Sequence, residues 1–297
     1  MSSDFTLRQI EYFEAAARLG SITAAAQACH ASQAAVSLAV ADLEKNLAVQ
    51  LLVRRKAKGV VLTDAGARVL SDARRVLEAA GELRRDAHSL SNTLHGTLTV
   101  GCYVTLAPFV IPPVLDEFAA RHPSLTVTVI EGAGEEMRDA LVEGRCEVAF
   151  LYADDSNAPL TTTTVQTTTP YVILSAEHPL AHQESISLSD VADLPLIMFD
   201  APSARNAAQM LRSEGLSPNI RHVTPNIELV RCLVARGLGY SILVQKWPVD
   251  VSYEGKPLVA LPIRDSTDVR RVVLAWPEAV KLTRRAATLI EAAQDLF

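Results

Sequence analysis

The sequence of 297 residues predicts an all-α-type winged helix-turn-helix domain over 1–63, a long linking helix over 64–94 and an α/β body of two lobes over 95–297. Three observations predict this. Two capped helical patterns meet at a corner between Ser21 and Leu47, and a basic, β-prone stretch follows. An apolar seam then repeats at spacings of four and three from Val69 to Leu94. Beyond Gly96 helix and strand signals alternate, the rhythm of a sheet covered by helices.

In chain order, Thr6 with Gln9 makes a capping box and Phe5 with Ile10 a hydrophobic staple. A helix therefore starts at about Leu7, turns Ile10, Phe13 and Ala17 inward and stops at Gly20. Ser21 caps the next helix, whose Ala24-Ala25-Ala26 run lets another helix cross closely. His30-Ala31 is the corner. Ser32 caps a third helix with Val36, Val40, Leu43 and Leu47 on one face. The opposite face opens with Gln33, Ala34, Ser37 and Leu38. A helix tip of this kind, its residues small or uncharged and its N–H groups free, suits a major groove and its phosphates. Next, Arg54-Arg55-Lys56-Ala57-Lys58-Gly59-Val60-Val61-Leu62 is basic and then β-prone. It suits a two-stranded wing whose Arg54, Arg55, Lys56 and Lys58 meet backbone phosphate. The competing reading is an ordinary helical hairpin with a solvated charged loop.

Thr63 is placed to cap a helix running to about Ser91. Its seam is Val69, Ala73, Val76, Ala80, Leu83, Ala87, Leu90 and Leu94, with charged residues between. So narrow a stripe on so long a helix needs a partner, and self-pairing is the expected one. In the body, Leu98 and Val100 begin a strand that should end at Gly101. A helix is expected over 113–122, a strand at Leu125–Val129, a helix over 135–143 and a buried strand at 148–151. This order predicts a parallel sheet. The threonine-rich stretch 161–169 reads as an extended hinge. It joins lobe I, residues 95–166 and 269–297, to lobe II, residues 170–265. The strand over 269–276 should cross back to lobe I, and an amphipathic helix over 278–296 should close the chain.

Composition narrows the function. Residues 1–94 carry 12 Lys+Arg against 10 Asp+Glu, a net of +2, while residues 95–297 carry 16 against 24, a net of −8. That asymmetry favours a DNA-facing N-terminal part and an acidic body turned away from phosphate. No apolar run reaches about 18 residues, so no membrane span is expected. The N-terminus shows no secretion signal, and a cytoplasmic location is expected. The four cysteines, Cys29, Cys102, Cys146 and Cys232, lack metal spacing and read as small buried thiols. The sequence has no GxSxG, P-loop, HExxH or strand-following GxGxxG, so no catalytic residue, metal or cofactor is expected. A solute-binding protein or an enzyme with a helical arm are the alternatives. The first lacks a leader, the second a nucleophile and base.

Residues 4–66 resemble the winged helix-turn-helix of LysR-type transcriptional regulators. The matching residues include Leu7, Phe13, Ser21, Thr23-Ala24-Ala25-Ala26, His30, Ser32-Gln33, Ala35-Val36-Ser37, Leu43-Glu44, Leu51, Arg54 and Leu62-Thr63-Asp64-Ala65-Gly66. Ala34, Leu38 and Leu52 stand where the family often has Pro, Arg and Phe, so one DNA contact of the family is missing at Leu38. Weaker matches continue at Glu117-Phe118, Arg121-His122-Pro123, Glu143-Gly144 and Leu233–Gly239. The resemblance implies double-stranded operator DNA as partner, with Ser32, Gln33, Ala34, Ser37, Leu38 and the wing cations at the interface. It implies a dimer through the linking helix, with the effector domains able to pair into a tetramer. It also implies a C-terminal body similar to type 2 periplasmic binding proteins, whose cleft holds a small-molecule effector. On this sequence the cleft is expected at Tyr103, Val104 and Thr105, at Gly134, at Phe199, Ser203 and Arg205, and at Asn226. Thr105 and Gly134 would present helix-start groups to an anion. Arg205 could take a carboxylate bidentately, and Tyr103 and Phe199 supply flat walls. A small organic acid with a ring is the expected effector. Plain helix caps, a surface charge and core packing are the structural alternatives for the same residues.

Overall fold

The computed structural model describes residues 5–55, 59–86, 94–153, 159–200, 202–264 and 268–297, with backbone alone at 54–55, 78, 82, 84–86 and 202–206. The chain divides into two units: Met1–Val100 with Phe118–Thr128 and Asp139–Glu147, and Gly101–Glu117 with Val129–Arg138 and Val148–Phe297.

In the first unit, α1 (Leu7–Leu19) opens with the predicted capping box. Gln9 N–H donates to Thr6 Oγ1 at 3.2 Å, and Thr6 N–H donates to Gln9 Oε1 at 2.7 Å. Gly20 closes the helix in the left-handed region at φ +62°. Ser21 caps α2 (Ile22–Ala28) and Ser32 caps α3 (Gln33–Leu47), each accepting a backbone N–H. His30, at φ +51°, makes the corner between them. Phe13, Ala16, Ala25, Val36, Leu43 and Leu51 form the buried centre of this head.

The wing is β1 (Leu52–Arg55) paired antiparallel with β2 (Gly59–Leu62), Leu52 opposite Leu62. Two contacts fix it to the head. Val60 N–H donates to Gly20 O at 2.9 Å. Gly59 sits at φ +75°, and a β-carbon there would come within 2.1 Å of Gly20 O, so only glycine fits. The other contact is Glu44 in α3, whose Oε1 accepts the N–H groups of Leu51 at 2.7 Å and Leu52 at 2.9 Å.

Thr63 Oγ1 accepts from Gly66 N–H at 2.8 Å and donates to Gln50 O at 2.7 Å, at the start of α4 (Asp64–Asp86). Leu70, Ala73 and Leu77 of α4 pack onto the head core. The expected single seam is thus divided: Ala73 is buried, while Val76 and Leu83 are 42% and 73% exposed. Ala87 and Leu90 lie outside the described residues. Leu94 is buried but stands beyond the helix, just before the next strand. Arg74 joins three segments of this unit: its Nη1 donates to Glu143 O at 2.8 Å, and its Nε lies 3.6 Å from Glu14 Oε1.

The second unit carries a five-stranded sheet whose strands lie in the order Leu125–Gly132, Gly96–Tyr103, Val148–Tyr152, Arg270–Pro277 and Leu160–Thr168. Of β3 (Gly96–Tyr103) and β4 (Leu125–Gly132), residues Gly101–Tyr103 and Val129–Gly132 belong to this unit. β3 runs past Gly101, where the sequence suggested a stop, because Cys102 and Tyr103 are themselves buried. α5 (Ala107–Arg121) starts well before Pro113 and encloses Pro112 and Pro113. Burial of Val110, Ile111 and Val114 outweighs the two missing N–H groups. α6 (Gly134–Val142) and β5 (Val148–Tyr152) follow as expected. β6 (Leu160–Thr168) is the threonine-rich segment. β12 (Arg270–Pro277) returns to this sheet antiparallel to both β5 and β6, so the sheet is mixed rather than parallel. β5 and β6 run the same way, so the strand between them is either parallel or antiparallel to both, and β12 is antiparallel.

Within the same unit, β7 (Tyr171–Ser175) is flanked antiparallel by β10 (Ser241–Leu243) and β11 (Leu258–Pro262). The short α7 (Leu188–Val191) precedes β8 (Leu196–Phe199), which pairs parallel with β9 (Ile220–Thr224) across α8 (Pro202–Ser213). α9 (Ile227–Ala235) packs against β7 and β8, and one core gathers Ile173, Ile197, Val230 and Val234. α10 (Arg284–Leu296) begins at its cap Thr283 rather than near Glu278, because Thr283 Oγ1 accepts Ala286 N–H at 3.2 Å. Of the cysteines, Cys102 and Cys146 are buried, but Cys29 and Cys232 are only half-buried, contrary to expectation.

Candidate functional site

Two places carry the chemistry. The first is the tip of α3. Ser32, Gln33, Ala34 and Leu38 are exposed there, Leu38 at 64%, and Ser37 is half-buried. The buried Val36, Val40 and Leu43 hold the opposite face. The exposed residues of this tip are uncharged, and the other side of the helix is fixed in the core of the head. In the wing, Arg54 and Arg55 fall opposite Val60 and Gly59 at the turn end of the ribbon. Their side chains, and Lys56 and Lys58 entirely, lie outside the described residues.

The second place is a cavity of about 350 Å³ in the second unit. Four aromatic residues wall it: Phe109, Tyr152, Phe199 and Trp247. Its polar lining is Thr105, Asn226 and Gln245, and among the described lining residues no side chain is charged. Thr105 stands just before α5. Its Oγ1 is buried and, among the described residues, has no hydrogen-bond partner. A buried hydroxyl left in that state costs free energy that a ligand atom would recover. Asn226 is already engaged: its Oδ1 caps α9, accepting Glu228 N–H at 3.0 Å and Leu229 N–H at 3.1 Å. Gln245, only 7% exposed, donates from Nε2 to Tyr152 Oη at 3.3 Å.

Of the expected cleft residues, the structure brings Val104, Thr105, Phe199 and Asn226 to this cavity. Tyr103 is not on its wall. The ring is fully buried behind Tyr152, edge-on at 5.4 Å and 72°. Gly134 begins α6, and it too is absent from the wall, although the neighbouring Gly132 carbonyl accepts Val104 N–H at 3.0 Å. The side chains of Ser203 and Arg205 lie outside the described residues.

The wall from Val244 to Trp247 is tied down through its carbonyls. Thr168 Oγ1 donates to Val244 O at 2.6 Å, and Tyr171 Oη donates to Gln245 O at 2.7 Å. Burial pushes the Tyr171 phenol well up, so it stays a neutral donor. Trp247 meets Phe109 edge to face at 5.4 Å and 80°. The Arg231 guanidinium lies 4.4 Å from the Trp247 ring centroid on another side.

Comparison with known proteins decides the family. Residues 91–297 match the LysR substrate binding domain, and residues 7–67 match the bacterial regulatory helix-turn-helix protein, lysR family. The chain belongs to the LysR family. It is similar to the uncharacterized HTH-type transcriptional regulator YvbU of Bacillus subtilis (strain 168), 28% identical over 98% of this chain and 99% of that one. Among solved structures, HinK, a LysR family transcriptional regulator from Pseudomonas aeruginosa, is 30% identical, covers 98% of both chains and has a TM-score of 0.65. Full-length OxyR from Pseudomonas aeruginosa, solved with one cysteine replaced by aspartate, is 26% identical, covers 98% of both chains and has a TM-score of 0.76. This LysR-type protein is therefore a DNA-binding transcriptional regulator with an effector-binding domain, and not an enzyme.

Several wall residues of the LysR-type cavity escape sequence reading. Tyr152 ends β5, and Val244 and Gln245 directly follow β10. Ligands in such sheets bind beyond the carboxyl ends of strands. The same rule extended to the ends of β5 and β10, which the sequence reading left out of the cleft, finds these three. Trp247 and Phe109 carry no such signal. Among the described residues, no helix is long and apolar enough to cross a membrane.

Proposed function

We propose that this regulator reads a specific operator through Gln33, Ala34, Ser37 and Leu38, with Ser32 at the helix tip and Arg54, Arg55, Lys56 and Lys58 on phosphate. It acts in the cytoplasm, as a dimer through α4. Its effector is a small organic acid with a ring, held in the 350 Å³ cavity. The Thr105 hydroxyl, without a hydrogen-bond partner among the described residues and just before the 15-residue α5, carries this reading. It supplies a donor where the positive end of the helix favours an anion. The aromatic walls suit a flat body, and the expected carboxylate partner is Arg205. A bound acid draws the lobes together and changes the disposition of the DNA-binding heads, as a shift toward the state that binds it more tightly.

The test has two stages. A thermal-shift screen of metabolites identifies the effector. Calorimetric titration then compares the unaltered chain with Thr105→Val/Arg205→Ala. The double variant should lose at least about tenfold in affinity, the worth of one charge-assisted contact. Unchanged affinity would place the site elsewhere.

A further inference from the structure

Arg231 is the largest fully buried side chain of the described residues, only 2% exposed, and it lies behind the cavity rather than in its lining. Its Nε donates to Glu228 Oε2 at 2.9 Å, and Nη2 donates to the carbonyls of Val249 at 3.0 Å and Val251 at 2.7 Å. Glu228 is fixed in turn, its Oε1 accepting Tyr253 N–H at 2.6 Å. The planar guanidinium then lies against the Trp247 ring. A buried ion pair of this kind adds little net stability over apolar packing, so its worth lies in what it positions. Here it positions one indole, which also lines the cavity and meets the Phe109 ring at 80°.

We infer that Arg231 is a positioning residue for effector recognition: held by Glu228, it fixes the plane of Trp247 as a stacking wall for a flat ring. This rests on the reading of the cavity as the effector site. A free indole would lose rotamer freedom on each binding event, and a clamped one has lost it on folding. The clamp therefore favours planar ligands over flexible ones of equal carbon number.

The experiment uses the full chain with Trp276→Phe, which leaves Trp247 as its sole tryptophan. The probes are sodium benzoate and sodium heptanoate, titrated by calorimetry and by Trp247 emission. Arg231→Met/Glu228→Gln removes both charges together, so no lone charge is buried, and the introduced glutamine keeps an acceptor for Tyr253 N–H. Arg231→Lys keeps the charge without the planar stack. In the double variant benzoate should weaken by about tenfold and heptanoate by less than about threefold, with increased acrylamide quenching of Trp247. Arg231→Lys should melt near the unaltered chain yet bind benzoate as the double variant does. Undiminished benzoate affinity, or equal loss of both probes, overturns the positioning role. If neither probe binds the unaltered chain, the reading of the cavity falls. Quenching then judges the clamp alone, and an unchanged value in the double variant overturns that as well.

Discussion

Glu44→Ala isolates the tether between the reading helix and the wing. Alanine is at least as good a helix former as glutamate, so α3 itself should not suffer. What disappears is one carboxylate oxygen accepting Leu51 N–H at 2.7 Å and Leu52 N–H at 2.9 Å. A hydrogen bond to a charged group is worth about 1.5–3 kcal/mol. One half-buried oxygen serves both donors here, so the pair is worth less than twice that, about 2–3 kcal/mol in all. Glu44→Gln keeps an acceptor and loses only the charge, for about 1 kcal/mol. Native-state hydrogen exchange reads this locally. Protection of the Leu51 and Leu52 amides should fall about 30- to 150-fold in the alanine variant and about fivefold in the glutamine variant. If both amides keep their protection in Glu44→Ala, or if the two variants behave alike, the carboxylate oxygen is not what holds the wing.

Three further outcomes follow from the head and the linking helix. Arg55→Ala should weaken operator and random DNA alike and lower the salt slope by roughly one, whereas Gln33→Ala should weaken mainly the operator; equal losses in both variants on both DNAs would reject this division of labour. Leu83→Glu places a charge on the apolar side chain that is 73% exposed in the single chain, and sedimentation should show monomers if α4 is the dimer interface. Ala48 ends α3 in the left-handed region at φ +53°, so Ala48→Gly should raise stability by about 0.5–1 kcal/mol in urea unfolding, and a loss would mean that the methyl group packs.

The head is legible in the sequence because its signals are local. Caps lie three residues from the groups they satisfy, as Thr6, Ser21 and Ser32 do, and the buried stripe of α3 repeats at helical spacing. The body is less legible where distant packing overrides a local rule. Pro112-Pro113 reads as a helix start, and Gly101 as a strand end, yet burial carries both elements through. The direction of β12 depends on where the chain re-enters the sheet, which no window of residues encodes. The clamp on Trp247 is invisible for the same reason. Arg231, Val249 and Val251 share one spot only after α9 and the segment beyond β10 have packed. Thr105, by contrast, shows itself as a hydroxyl before a helix, and its lack of a partner among the described residues is what the structure adds.

The closeness of Gly59 to Gly20 separates two quantities that a DNA-binding protein must set. The turn end of the wing is locked to the corner after α1 by a carbonyl that leaves no room for a β-carbon. Changes of sequence at 56–58 should therefore leave α3 in place. On the division of labour proposed above, the strength of attachment to DNA can drift at the wing over generations while the bases chosen by Gln33 and its neighbours stay the same.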